Sequence, residues 1–277
     1  MTHSATYPTL AFIGAGNMAR AIIGGLLKNG YPANRIWTSE PSLDRMSDLQ
    51  AQGLQTTSDN TIAVQRADII VLAVKPQLLK EVLLPLQNSA RTGDKLFISV
   101  AAGITSESIN GWLGGHQAIV RCMPNTPALV SMGASGLCAN DKVTDEQKNQ
   151  ADSVLAAVGI TAWVEDESLL HAITAVSGSG PAYYFLFMEA MIAAGIKQGL
   201  PREIATQLTL QTARGAAEMA ATSDVDPAEL RRRVTSPKGT TEQAIVSFQA
   251  NHLESIVDTA MNACANRSEE LAKLLGE

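Results

Sequence analysis

Short apolar runs alternate with helix-like segments from Thr9 to Trp163: LAFI, NMARAIIGGLLKNG, RIWTSE, ADIIVLAV, KLFISV and AIVRC follow one another along the chain. Such alternation predicts a parallel sheet with helices on its faces, a doubly wound α/β arrangement. The run IIVLAV, residues 69–74, is apolar at every position, as expected of a central parallel strand covered on both sides. Beyond about Val164 no strand-like run recurs, and segments rich in Ala, Leu, Met and Glu extend from Leu169 to Leu275, which predicts an all-helical second half. Pro181, Pro201, Pro227 and Pro237 each precede a helix-forming stretch and are predicted to sit in first turns.

At 277 residues and 45% hydrophobic content, the chain is long enough for one large or two ordinary domains and can bury a substantial core. A net charge of −6 and 4% aromatic residues disfavour nucleic-acid backbone contacts and base-stacking platforms, so small-molecule chemistry is favoured. Cys122, Cys138 and Cys264 are widely spaced and form no CxxC or Cys/His pattern; neither a disulfide framework nor a metal site is expected. The first residues, MTHSATYPTL, lack the basic start and long apolar stretch of an export signal, and AYYFLFMEAMIAAGI carries Glu189, so a soluble, cytoplasmic protein is expected, with no nucleic-acid or membrane partner. Ala-rich segments such as MIAAGIKQG offer more apolar helix face than one thin layer buries, and a homodimer is expected to cover it.

The first candidate for chemistry follows LAFI directly: Gly14-Ala15-Gly16-Asn17-Met18-Ala19, a GxGxxA string opening an amphipathic helix. Gly14 allows the tight strand-to-helix turn, Gly16 lets backbone approach a pyrophosphate, and Ala19 lets helix pack closely on strand. The unpaired N–H groups of the helix start then face phosphate. Residues 1–164 are accordingly predicted to form a Rossmann-type dinucleotide-binding domain, and 165–277 a helical substrate and dimerisation domain. Glu40, at the end of the second strand, stands where an acidic side chain takes the ribose 2′-OH of NAD, whereas Ser39, Ser42 and Arg45 surround the same turn and suit the 2′-phosphate of NADP. The sequence leaves both cofactors open. Two further loops, Ala73-Val74-Lys75-Pro76-Gln77 and Met123-Pro124-Asn125-Thr126-Pro127, leave predicted strand ends on the same edge; Lys75 is a candidate for the cofactor's phosphates and Asn125 for the nicotinamide amide or a water.

A general base is hard to find. His3 is in the tail, His116 in a turn-rich stretch and His252 at the start of the last helix, while His171 suits a core or capping role. The long helix after Ser179 has Lys197 as its single lysine, at the far end, so the lysine used by β-hydroxyacid dehydrogenases is missing. Reduction of a carbon–nitrogen double bond asks for less, because a protonated imine is already electrophilic and positioning with hydrogen bonds to nitrogen suffices. The stretch VTSPKGTTEQAI, residues 234–245, adds a probable helix start that can hold a second anion or serve as an ordinary cap.

The strings FIGAGNMA (12–19), AVKPQ (73–77), SVAAGI (99–104), RCMPNTPA (121–128), AVSGSGPAY (175–183) and VTSPKGTTEQAI (234–245) together resemble those of the pyrroline-5-carboxylate reductase family, over essentially the whole chain. That resemblance implies reduction of 1-pyrroline-5-carboxylate to L-proline with NADPH, or NADH as the alternative, and a homodimer that assembles in some members into a higher ring of dimers. It implies that Gly14, Gly16, Asn17, Met18, Ala19, Ser39, Glu40, Ala73, Val74, Lys75, Pro76, Ala101 and Asn125 form the cofactor side. On the substrate side it implies Asp224, Ser236, Gly239, Thr240 and Thr241, with Thr241 the catalytic candidate as hydrogen-bond partner of the ring nitrogen and proton relay; the competing role for Thr241 and Asp224 is helix capping. Ser177, Gly178 and Ser179 fall on the family's bend near the cofactor. Lys238 stands where the family commonly has glycine, so no positive φ is expected there. A six-membered cyclic imine carboxylate is the alternative substrate, and a dinucleotide sensor without turnover the non-enzyme alternative.

Overall fold

The computed structural model describes residues 7–276; His3 and the other residues ahead of Tyr7 lie outside the described residues. Eight strands form one sheet: β1 (Leu10–Ile13), β2 (Ile36–Ser39), β3 (Gln55–Thr57), β4 (Ile69–Leu72), β5 (Leu96–Ser99), β6 (Ala118–Met123), β7 (Gly133–Ala139) and β8 (Gly159–Trp163), in the order β3-β2-β1-β4-β5-β6-β7-β8. β1 is flanked on both sides in parallel, with Leu10 opposite Ile36 in β2 and Ile69 in β4. The strand order therefore reverses at β1, and the carboxyl ends of β1 and β4 open onto the crevice where such sheets bind ligands.

The far edge departs from the expected pattern, since β7 runs antiparallel to β6 and β8 parallel to β7. Both strands escaped the hydrophobic pattern for physical reasons. GASGLCA is mostly small residues, and edge strand β8 is nowhere fully buried. β3, with the polar sequence QTT, is the opposite edge.

Helices are α1 (Asn17–Lys28), α2 (Ser47–Ala51), α3 (Asn60–Arg66), α4 (Pro76–Leu83), α5 (Gln87–Ala90), α6 (Ser106–Trp112), α7 (Asp145–Ala156), α8 (Leu169–Ile173), α9 (Gly180–Lys197), α10 (Arg202–Thr222), α11 (Pro227–Arg233), α12 (Thr240–Ala250) and α13 (Leu253–Leu275). Two hydrophobic layers sandwich the sheet. On one face Ile22, Ile23 and Leu26 of α1 and Val154 and Leu155 of α7 pack with Leu10, Phe12 and Val120; on the other, residues of α3, α4 and α6 pack on Ala11, Ile13, Ile70 and Phe97. Alternation along β1 of residues to the two layers, with all four buried, is the signature of a strand covered on both faces.

The chain forms two compact units. One holds the described residues through Ser179 together with those from Cys264 onward; the other is Gly180–Ala263. The last strand ends at Trp163, so the sheet unit also keeps α8 and a π-helical turn over Thr174–Gly178. The end of α13 is tied into this unit. Ser268 Oγ meets His171 Nδ1 at 2.9 Å, Ser108 Oγ donates to the carbonyl of Gly276 at 3.1 Å, and Cys264 Sγ lies 3.3 Å from Ser179 Oγ.

In the helical unit burial is sparse: Ala205 and Thr209 are buried, whereas Tyr184 is 69% exposed and Leu186 67%. Phe187 and Phe248 bring α9 and α12 together, with ring centroids 6.1 Å apart. Pro227 opens α11 and Pro181 lies in the first turn of α9, whereas Pro201 immediately precedes α10. Pro237 falls in the loop ahead of α12 instead of its first turn, because Lys238 takes φ 60° and delays the helix to Thr240.

Candidate functional site

The glycine turn after β1 carries two glycines with different reasons for being glycine. Gly14 has φ 97°, and a Cβ there would lie 2.7 Å from the carbonyl oxygen of Ala73; the turn itself needs it. Gly16 has φ −74° and ψ −176°, which any residue adopts, and a Cβ there would meet nothing within 4 Å. Neither backbone nor internal packing requires glycine at 16, so its smallness leaves room for something from outside. No side chain caps α1 at Gly16, which leaves its first-turn N–H groups available to an anion. Asn17 is exposed at the helix start, Met18 packs partly against the core and Ala19 is fully buried beneath the turn. The residues present fit a dinucleotide pyrophosphate.

Beside this turn, Glu40 follows β2 and directs its carboxylate back: Oε2 accepts from the Ala15 N–H at 3.4 Å and Oε1 from Arg45 Nη1 at 2.8 Å. Ser39 is buried, and its hydroxyl donates to Asn60 Oδ1 at 2.6 Å. That hydroxyl is engaged inside the protein. Arg20 was missed. From α1 it donates to the carbonyl of Ala15 at 2.9 Å and also reaches Asp48 and the carbonyl of Arg45, pinning both turns together. The available signal was a guanidinium directly after the GxGxxA string.

The loop after β4 begins with Ala73, whose N–H donates to Ile13 at 2.9 Å, and continues through half-buried Val74 to exposed Lys75, the N-terminal flank of α4, with Pro76 at its first position. After β5, Ala101 is buried, and its N–H lies 3.4 Å from Ser99 Oγ. Asn125, after β6, is anchored inside the protein. It is 8% exposed; its Nδ2 donates to the carbonyl of Ser177 at 3.0 Å and its Oδ1 accepts from the Ala134 N–H at 2.9 Å. The amide thereby fastens the π turn of the SGSG segment to the sheet. That turn closes with a five-residue bond from Ser179 N–H to Thr174 O at 2.8 Å, the wider ring that marks π geometry.

In the helical unit, the start of α12 lacks a side-chain cap: its N-cap is Gly239, and Thr240 and Thr241 are exposed. The capping role weighed for Thr241 is therefore absent. Gly239 is required here, since a Cβ would lie 2.9 Å from the carbonyl oxygen of Ser236. Lys238 corrects a further expectation: its φ is 60°, so the position keeps the left-handed geometry for which glycine is suited. Its N–H donates to Glu242 Oε2 at 2.7 Å, holding the loop in register with the helix. Asp224 lies exposed in a bend and does not cap α11; Asp226 does, accepting from the Glu229 N–H at 2.8 Å. An eleven-residue helix thus presents an open positive end flanked by hydroxyls, suited to a carboxylate.

Elsewhere in the sheet unit, Glu167 accepts from the Ser106 N–H at 2.7 Å, from the Ser106 hydroxyl at 2.6 Å and from Arg121 Nη1 at 2.8 Å. Burial favours its neutral form, but the hydrogen bonds from Ser106 and Arg121 outweigh that and hold the carboxyl below its ordinary value. Burial, with Arg121 nearby, lowers the pKa of His171. Burial also pushes the Cys122 thiol up to about 12, which leaves it unreactive. A cavity of about 1260 Å³ lies at the amino ends of the strands, beside Asp68, Lys95 and Gln117. Two of its charged groups are already partnered, Lys95 Nζ with the carbonyl of Ala67 at 2.7 Å and Arg91 with that of Gly114 at 3.0 Å, and size alone does not mark the site.

Residues 167–271 match the family described as pyrroline-5-carboxylate reductase dimerisation, and residues 9–103 match that described as NADP oxidoreductase, coenzyme F420-dependent. The chain is 53% identical to a pyrroline-5-carboxylate reductase of Pseudomonas aeruginosa, over 98% of this chain and 99% of that one. A pyrroline-5-carboxylate reductase structure from Coxiella burnetii superposes with a TM-score of 0.93 at 45% identity, covering 96% of this chain and 98% of that one. A pyrroline carboxylate reductase of Plasmodium falciparum with NADP bound superposes with a TM-score of 0.84 at 32% identity, again over 96% and 98%. With a dinucleotide turn in the sheet unit, a dimerisation segment in the helical half and full-length relatives of one kind, the chain belongs to the pyrroline-5-carboxylate reductase family.

Proposed function

We propose that this protein reduces the C=N bond of 1-pyrroline-5-carboxylate to L-proline, the last step of proline biosynthesis, using NADPH, with NADH as the alternative. The observation that carries the reading is the uncapped amino end of α12 behind Gly239, bordered by the exposed hydroxyls of Thr240 and Thr241. Its free N–H groups and partial positive charge suit the substrate carboxylate, with Ser236 and Gly239 shaping the loop. Residues 1–164 serve the cofactor and 165–277 the substrate and dimerisation.

On the cofactor side, Gly14, Gly16, Asn17, Met18 and Ala19 cradle the pyrophosphate; Glu40 borders the adenosine ribose. Ala73, Val74, Pro76 and Ala101 line the strand ends, and Lys75 offers its ammonium to phosphate. Ser39 and Asn125 act from behind, through Asn60 and the π turn respectively. When bound, the reduced nicotinamide supplies a hydride to ring carbon 5. Thr241 accepts a hydrogen bond from the protonated ring nitrogen and, once hydride transfer has made it an amine, relays a proton to it; no buried base is needed because the substrate nitrogen is protonated before reduction. Asp224, free of capping duty, is the acidic group on the substrate side.

The exposed apolar surface of the helical unit, with Tyr184, Phe185 and Leu186 prominent, supports a homodimer, and a ring of dimers is the larger assembly proposed. No helix among the described residues is long and apolar enough to cross a membrane. We place the protein in the cytoplasm. The decisive experiment incubates purified protein with pyrroline-5-carboxylate and NADPH or NADH, and follows cofactor oxidation and L-proline together. Absence of proline with both cofactors refutes the activity; Thr241→Val should lower kcat more than it raises KM.

A further inference from the structure

The loop ahead of α12 is fastened at both ends. At its start Thr235 closes α11: its hydroxyl donates to the carbonyl of Arg231 at 2.6 Å and its N–H to that of Arg232 at 3.1 Å. At its end stands half-buried Glu242, the third residue of α12, where the acid of a capping box normally reaches back to the N-cap N–H. Here that N–H is taken, since Gly239 donates to the carbonyl of Ser236 at 3.0 Å, and the carboxylate goes one residue farther to accept from the Lys238 N–H at 2.7 Å. The hydroxyl half of the box is missing, because the N-cap is glycine. The first bond of the helix runs from Gln243 N–H to Gly239 O at 3.3 Å, so the N–H groups of Thr240, Thr241 and Glu242 have no carbonyl within the helix to reach. Glu242 thus satisfies a loop donor and leaves the donors of the helix unspent.

We propose that Glu242 is a positioning residue for the reduction, a reading that rests on the start of α12 being the substrate site. Lys238 takes φ 60°, a backbone state that glycine enters freely and lysine does not. The Glu242 carboxylate holds it there. The turn from Ser236 to Gly239 then aims the free N–H groups of α12 at the substrate carboxylate and sets Thr241 beside the ring nitrogen. Lys238 and Glu242 form a matched pair: a glycine at 238 makes the carboxylate dispensable, and a lysine makes it necessary. Because Glu242 acts on the loop and touches no reacting atom, its removal weakens the hold on the substrate carboxylate in ground state and transition state alike.

The test is steady-state kinetics of the full-length protein with pyrroline-5-carboxylate and NADPH or NADH. Glu242→Ala should raise KM for the imine about tenfold and leave kcat within about threefold, as expected for loss of one charge-assisted hydrogen bond that serves binding alone. Glu242→Gln keeps an acceptor oxygen and should stay within about threefold of the wild-type KM. Adding Lys238→Gly to Glu242→Ala should bring KM back to within about threefold of wild type, which neither a general loss of stability nor a lost charge would do. Amide hydrogen exchange over residues 234–241 should speed up in Glu242→Ala and revert in the double variant. An unchanged KM in Glu242→Ala, a KM that falls in both Glu242 variants through relief of charge repulsion, or a double variant as impaired as the single one overturns the positioning role while leaving the activity standing. If Glu242→Ala does not fold, the double variant decides alone: a KM near wild type upholds the role, and a rise of about tenfold overturns it. Wild-type protein that forms no proline with either cofactor overturns the substrate reading, and the positioning role with it.

Discussion

Replacing Glu167 with alanine removes the acceptor of three hydrogen bonds at once, two from Ser106 and one from Arg121. What remains is the harsher consequence, because the Arg121 side chain is 8% exposed and would keep its charge without a carboxylate. Breaking a buried ion pair by removing one partner costs about 3–5 kcal/mol. Glu167 itself is 30% exposed, so water softens the loss, and about 2–4 kcal/mol is expected. For a chain of this size that is a fall of roughly 4–16 °C in Tm. Thermal unfolding of wild type, Glu167→Ala and Glu167→Gln at one fixed protein concentration measures it, the concentration being fixed because assembly contributes to apparent stability. The Gln variant keeps most of the hydrogen bonds and loses the charge, and should fall between the other two. Since the folded carboxyl titrates below its ordinary value, its contribution is complete at neutral pH. It is lost as pH drops through the folded value, so the gap between wild type and Glu167→Ala narrows on acidification. A variant within about 0.5 kcal/mol of wild type at neutral pH, or a gap that widens in acid, would refute the reasoning.

Other substitutions separate shape from chemistry. Thr38 in β2 is fully buried, and its hydroxyl oxygen has no hydrogen-bond partner, so Thr38→Val should raise stability by about 1 kcal/mol in urea unfolding. Lys238→Gly relieves a left-handed lysine and should stabilise by about 0.5–1 kcal/mol, seen as a higher denaturation midpoint with an unchanged slope. Gly14→Ala places a Cβ 2.7 Å from Ala73 O at φ 97° and should cost several kcal/mol, about 2–4, together with dinucleotide binding. Gly16→Ala meets nothing in the protein, so its Tm should stay within about 2 °C of wild type while NADPH affinity, read by fluorescence, falls; equal losses of stability in the two variants would contradict the distinction.

The central strands were legible because burial on both faces of β1, β4 and β5 leaves continuous apolar runs, a pattern with few competing explanations. β3 and β7 were not legible, since an edge strand of QTT and a strand of small residues derive their conformation from neighbours. At the site, Gly14 and Ala19 behave as their spacing implies, for local turn geometry is a local property. Asn125 and Ser39 were readable as polar residues in the right loops, yet their partners Ser177 and Asn60 lie far along the chain, and no pattern near either residue announces them. Lys238 shows the opposite error: a lysine argued for an ordinary φ, whereas the Ser236 carbonyl, Gly239 and the Glu242 carboxylate together impose the left-handed one.

The return of α13 to the sheet unit has a consequence for the order in which the protein is built. Residues from Cys264 onward belong with strands made much earlier, and Gly103 lies against Leu271 and Ala272 in that segment. A ribosome supplies chain from the amino end, and domains tend to fold as they emerge. Here the unit begun first is finished last, after all of Gly180–Ala263 has been synthesised. Until then the surfaces of Gly103, Ser108 and His171 await their partners.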